Sequence, residues 1–165
     1  MKSYEFTFDE DGVPWASPEI QKDYEAALGR FLLAFNRLDN LLTKMIGIIL
    51  RKLNRADLVE SCTKASFAQK TLTLDLLKQS TEGHTIASVS IKTMKDVAGH
   101  RNIVAHGHFE QNPFSGEYEI VGKSSHQYTP EQLDAQAEKA TEVWMSLRNA
   151  EAHYEFSPLL EDRED

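Results

Sequence analysis

Cysteine is all but missing from this chain: Cys62 is the only one among 165 residues. One thiol cannot close an intrachain disulfide, so a disulfide-stapled framework is excluded and a reducing cytoplasm is the expected location. Nothing local activates Cys62 as a nucleophile, and its expected role is that of a small core or half-buried side chain. Long apolar runs are missing too. The longest, Met45 to Leu50, is interrupted by Gly47 and falls far short of the roughly 18 residues of a membrane span. The first residues, Met1-Lys2-Ser3-Tyr4-Glu5, run into acids and carry no apolar signal core. There is no Gly-rich phosphate loop, no dinucleotide fingerprint, no zinc-ribbon cysteine pair and no internal repeat.

Basic charge is also short, with 18 Lys and Arg against 26 Asp and Glu and a net charge of −8. Taken alone, that balance argues against a nucleic-acid partner. Its distribution argues otherwise. Residues 1–29 carry 2 basic and 7 acidic side chains, residues 30–106 carry 12 and 6, residues 107–128 carry 1 and 3, and residues 129–165 carry 3 and 10. The positive charge is gathered on the middle of the chain and the acids lie at its ends. Solvated helix faces with no target would give the same asymmetry.

What the chain does have is helical pattern. Residues 1–16 read as an extended arm with a turn at Asp11-Gly12, anchored by Phe6, Phe8 and Trp15 rather than offering them as a base-stacking platform. Ser17-Pro18-Glu19 is a helix start, with a capping hydroxyl, proline at the first helical position and an acid at the positive end. Ile20, Tyr24, Leu28, Phe31, Phe35, Leu38, Leu42, Met45, Ile46 and Ile49 then form one apolar stripe, which predicts a long core-facing helix to about Leu53. Gly29 and Gly47 either weaken it or admit a close neighbour. Asn54-Arg55-Ala56-Asp57 reads as a break. Further helices are predicted over Phe67–Lys78 and from about Ile86 to His106, the latter stopped by a left-handed Gly107.

The period then changes. Phe109, Tyr118, Ile120 and Val121 around Asn112-Pro113-Phe114-Ser115-Gly116 predict a β-hairpin over residues 109–122. Thr129-Pro130-Glu131-Gln132 is a capping box, and the last helix is predicted to run to about Tyr154. Residues 156–165 make an acidic tail, of which Glu161-Asp162-Arg163-Glu164-Asp165 reads as disordered. The expected fold is all-α, a single domain built as a four- to five-helix bundle with a small β-hairpin inserted before the last helix.

The chemistry is concentrated in Gly99-His100-Arg101-Asn102-Ile103-Val104-Ala105-His106-Gly107. With Met94 at 0° and a step of about 100° per residue, Arg101 falls near 340°, within the stripe of Met94, Val97, Ala98 and Ala105. A guanidinium there needs a partner. Asn102, near 80°, and His106, near 120°, stand one turn apart on a shared flank. Arg101 is long enough to reach the same groove, and His106 is a proton donor or acceptor suited to neutral pH. A structural alternative pairs Arg101 with Asp39, at the edge of the apolar stripe of the long helix, and leaves Asn102 and His106 to cap loop carbonyls. His100, His106 and His108 suggest a metal site, but no Cys or Glu-x-x-His element joins them, so neither metal nor cofactor is expected.

Arg101-Asn102-Ile103-Val104-Ala105-His106-Gly107 resembles the Arg-Asn-x-x-x-His signature of the HEPN superfamily of nucleotide-binding helical domains. The preceding Met94-Lys95-Asp96-Val97-Ala98-Gly99-His100 and the early helix with Phe35-Asn36-Arg37-Leu38-Asp39-Asn40-Leu41-Leu42 are similar to that family as well. The resemblance implies a metal-independent endoribonuclease that works as a homodimer and leaves a 2′,3′-cyclic phosphate and a 5′-hydroxyl. Arg101 would stabilise charge on the scissile phosphate, His106 would act as general base or acid, and Asn102 would orient one of them. Asp39, His108 and His100 would bind substrate or support the site. The implied partners are RNA or a nucleotide and an antitoxin protein, in a toxin–antitoxin or defence setting. The alternative is a non-catalytic helical module that binds nucleotides or proteins, or dimerises.

Overall fold

The computed structural model describes residues 7–8, 10–15, 17–80, 86–112, 117–121 and 126–161. Its elements in chain order are β1 (Thr7–Phe8), β2 (Pro14–Trp15), α1 (Pro18–Lys52), α2 (Ala56–Thr63), α3 (Phe67–Ser80), α4 (Ile91–His106), β3 (His108–Gln111), β4 (Tyr118–Val121), β5 (His126–Gln127) and α5 (Pro130–Glu161). The fold is all-α, with a small antiparallel sheet ahead of the last helix. No described helix is long and apolar enough to cross a membrane. The chain resolves into two compact units, Met1–Leu33 with Gly99–Glu138, and Ala34–Ala98 with Lys139–Asp165.

In the first unit the buried side chains come from the start of α1 (Ile20, Tyr24, Ala27, Phe31), from Val104 of α4, from Ile120 of β4 and from Tyr128 and Leu133. Tyr24 also meets the ring of Tyr118, with 4.8 Å between centroids. The sheet is ordered β3-β4-β5. His108 to Gln111 lie opposite Val121 to Tyr118, and a third short strand extends the expected hairpin. The hairpin turn at residues 113–116 lies outside the described residues. The arm is a two-residue ladder, Thr7 opposite Trp15 and Phe8 opposite Pro14. It turns at Gly12, whose φ of 74° is the left-handed conformation a glycine takes freely. Phe8 is 68% exposed and therefore anchors nothing; Phe6 lies outside the described residues.

In the second unit the core is built from α1 (Phe35, Leu38, Leu42, Met45, Ile46, Ile49), Leu74 and Leu77 of α3, Met94 and Val97 of α4, and Val143 and Leu147 of α5. Phe35 packs on Phe67 with 4.7 Å between ring centroids.

Several boundaries differ from expectation, each for a local reason. Ser17 does not cap α1 through its hydroxyl; Oγ is buried without a hydrogen-bond partner among the described residues, and the backbone carbonyl receives the Ile20 amide at 3.0 Å instead. The break after α1 is shorter than residues 54–57, because α2 begins at Ala56. That helix is eight residues long and has no fully buried residue, so it is too short to stand out as a period in the sequence. Ser66 and Gln69 form a capping box at the start of α3, with bonds of 3.2 and 3.3 Å. Helix α4 starts at Ile91 rather than Ile86, because Ser90 Oγ accepts the Thr93 amide at 3.2 Å and sets the cap there. Helix α5 continues past Tyr154 to Glu161, which takes in the first part of the expected tail; residues 162–165 lie outside the described residues. Its capping box forms as read, with Thr129 N donating to Gln132 Oε1 at 3.0 Å and Gln132 N to Thr129 Oγ1 at 3.2 Å.

The end of α1 is a Schellman turn. Arg55 N donates to Leu50 O at 2.8 Å and Asn54 N to Arg51 O at 3.0 Å, while Asn54 adopts φ 57°. Asparagine tolerates this conformation and a β-branched residue does not. Asn54→Val is therefore expected to lower the unfolding free energy by about 1–2 kcal/mol, measured as a drop in the urea midpoint; an unchanged midpoint would refute the assignment.

Candidate functional site

The candidate site is built on the last turns of α4, within the first unit. Met94, Val97 and Val104 are the residues of α4 that are buried, while Lys95, Asn102, Ala105 and His106 are exposed. The apolar face is thus narrower than periodicity suggests: Ala105, placed on it by spacing, faces solvent. Arg101 sits on the boundary. Its side chain is half-buried, with Nε inside, and Nη1 donates to Asn102 Oδ1 at 3.3 Å. Adjacent helical positions diverge by about 100°, so this bond forms because the guanidinium curls around the helix toward the exposed flank.

His106 lies four residues beyond Asn102, on that flank, and is exposed at the helix terminus. Among the described residues it shares no hydrogen bond with Arg101 or Asn102. A cation, an amide and an imidazole therefore occupy one open helix end, with the guanidinium–amide pair formed and the imidazole presented to solvent. Such a set can hold a phosphate through Arg101, orient it through the Asn102 amide and exchange a proton through His106.

The three supporting residues are placed elsewhere. His100 lies about 120° around α4 from His106. Its Nδ1 is 2.6 Å from the hydroxyl of Tyr128, and the two rings meet edge to face at 5.7 Å. His100 therefore braces α4 against the segment leading into α5 and is not directed to the flank of Asn102. His108 opens β3, exposed and in register with Val121. Asp39 belongs to the second unit, where its Oδ1 accepts from Lys70 Nζ at 2.8 Å. The acid read as the partner of Arg101 is thus engaged by a lysine of α3, itself only 9% exposed. No three of the described His, Cys, Asp and Glu residues gather as a metal-binding group.

Gly107 ends α4, but not through a left-handed residue: among the described residues the glycine with positive φ is Gly12. Gly107 still donates to Ile103 O at 2.9 Å, as one more helical residue would. Glycine is needed there for space. A Cβ would lie 2.9 Å from the Ile103 carbonyl oxygen and would overlap Cγ2 of Ile120, a side chain of β4 that is fully buried. Gly107 thus lets β4 close against the end of the helix that carries His106. Gly107→Ala is expected to cost about 1–3 kcal/mol by overpacking, seen as a lowered melting temperature, and in an Ile120→Ala background, where Cγ2 is gone, the same change should cost less. A melting temperature equal to the parent's would contradict this packing.

Sequence reasoning missed Tyr128 and Lys70. Tyr128 had a usable signal, since the residue before an N-cap commonly packs inward; Lys70 had none, being 31 residues from Asp39. Comparison of the chain with models of protein families, with curated proteins and with solved structures finds no match.

Proposed function

We propose that this chain is a metal-independent endoribonuclease of the HEPN type, acting as a homodimer on RNA in a toxin–antitoxin or defence setting. The observation that carries the reading is the bond between Arg101 Nη1 and Asn102 Oδ1 at 3.3 Å beside an exposed His106 one turn further on. Arg101 binds the scissile phosphate and neutralises charge that develops on its non-bridging oxygens. His106 takes the proton of the ribose 2′-hydroxyl, and the 2′-oxygen attacks phosphorus. The P–O5′ bond breaks, the leaving oxygen takes up a proton, and the products are a 2′,3′-cyclic phosphate and a 5′-hydroxyl. Asn102 holds the guanidinium on the side of the helix where His106 stands.

The test is incubation of the purified chain with single-stranded RNA in EDTA, with the new ends identified by mass spectrometry. Cyclic phosphate ends are the expected product; intact RNA, or 5′-phosphate ends, would refute the mechanism. A second reading, a non-catalytic helical binding module, is favoured by Leu72 and Leu76, one turn apart on α3 and 54% and 58% exposed. Intact RNA would leave that reading in place.

A further inference from the structure

Helix α1 carries a charge pattern that the cleavage chemistry does not use. In the second unit its outer face has a cation at every seventh residue: Arg37, Lys44 and Arg51, all exposed. Seven residues make nearly two turns, so the three stand in line along the helix, about 10.5 Å apart. The acid of this stretch, Asp39, lies about 120–160° around the helix from the three cations and is occupied by Lys70. Among the described residues, neither Arg37 nor Arg51 pairs with a carboxylate. Arg51 folds back over Gly47, where an added Cβ would come to 3.2 Å from Nη1.

Helix α5 adds a fourth cation. Arg148 and Lys44 both reach the carboxylate of Glu151, Lys44 Nζ at 2.6 Å from Oε1 and Arg148 Nη1 at Oε2. Glu151 is 0% exposed, whereas Lys44 and Arg148 are 53% and 55% exposed. An inward carboxylate with two outward cations fixes the position of both without presenting its own charge to solvent. Two of the four cations thus face outward over one covered anion. Trp144, half-buried, stands one turn from Arg148 on α5 and supplies a flat ring beside the line of charge.

We infer that this face, Arg37, Lys44 and Arg51 of α1 with Arg148 and Trp144 of α5, binds the phosphate backbone of single-stranded RNA. A row of cations suits a linear polyanion: along a stacked strand with one phosphate per about 3.4 Å, each cation meets roughly every third phosphate. A neighbouring indole suits a polyanion with bases to stack, which an acidic protein and a lipid headgroup do not offer. The choice of RNA rests on the nuclease reading; the binding face involves neither Arg101 nor His106.

The test is fluorescence anisotropy of the full chain with a labelled 2′-O-methyl oligouridylate of 20 nucleotides, which cannot be cleaved, across a series of salt concentrations. Arg37→Ala with Arg51→Ala is expected to weaken binding at least tenfold at low salt and to flatten the slope of log K against log salt by about 1.4, two contacts at roughly 0.7 each. Trp144→Leu is expected to weaken binding about fivefold or more with the slope unchanged. Parental affinity and slope in the double variant would overturn the inference, as would failure of the parent to bind, or equal competition by polyglutamate or by phosphatidylglycerol vesicles at matched charge. Cleavage by a His106→Ala protein whose oligouridylate binding depends on Arg37 and Arg51 would sink the nuclease chemistry and leave this surface standing. Full cleavage and binding by the double variant would do the reverse.

Discussion

A His106→Ala protein is expected to cleave RNA about 10²–10⁴-fold more slowly than the parent, the usual contribution of one positioned general acid or base. Arg101→Ala is expected to lose about 10²–10³-fold, the range seen when a donor aimed at developing charge is removed. The two variants should differ in their effect on folding. His106 is exposed at a helix end, so its truncation should leave stability within about 0.5 kcal/mol and the melting curve unmoved. Arg101 is half-buried with Nε inside, so its stem is lost from packing as well as from chemistry. Arg101→Lys separates the two effects. It keeps a long stem and a positive charge but lacks the planar fork that reaches the Asn102 amide and holds a phosphate through two bonds. Recovery of stability without recovery of rate is the expected outcome. Cleavage by His106→Ala at the parental rate would remove His106 from the chemistry and the nuclease reading with it.

The sequence exposes those parts of this fold that depend on neighbours a few residues away. The apolar stripe of α1 and the capping box at Thr129 are local patterns, and both appear where spacing puts them. The flank shared by Asn102 and His106 is another, fixed by helical geometry alone. What spacing cannot supply is the rotamer that brings Arg101 to Asn102, or partners distant along the chain. Lys70 for Asp39 and Tyr128 for His100 are 31 and 28 residues away. Gly107 is the instructive case. The helix stops at His106 as expected, but the glycine that follows is required by the space Ile120 of β4 leaves, and not by a backbone conformation that a glycine signals locally. Helix α2 escapes notice for another reason: it is eight residues long, shorter than the window over which a helical period is read.

Replacing both Lys44 and Arg148 by methionine is expected to destabilise the protein by about 3 kcal/mol at pH 7, the scale for a buried charge left without its partners. Burial pushes the Glu151 carboxyl pKa up, but the bonds from Lys44 and Arg148 outweigh it and hold the group below its ordinary value. A carboxyl whose folded pKa is depressed adds stability that is fully present above the unfolded value, about 4.3, and that is lost as pH falls through the folded one. The parent should therefore weaken through Glu151 only below about pH 4.3. Methionine retains stems of similar length while removing both charges, so in the double variant burial acts alone and the folded pKa moves above the unfolded one. The penalty is then greatest at pH 7 and shrinks as the carboxyl takes up a proton, so the variant should approach the parent in urea midpoint between pH 7 and pH 5. Adding Glu151→Gln should restore most of the loss at pH 7, because no charge is then left inside. Each single methionine variant leaves one cation in place and is expected to cost about 1–2 kcal/mol. A double variant whose deficit is the same at pH 7 and pH 5, and which Glu151→Gln does not rescue, would show that Glu151 reaches water once the cations are gone and that the two cations do not depend on it for their position.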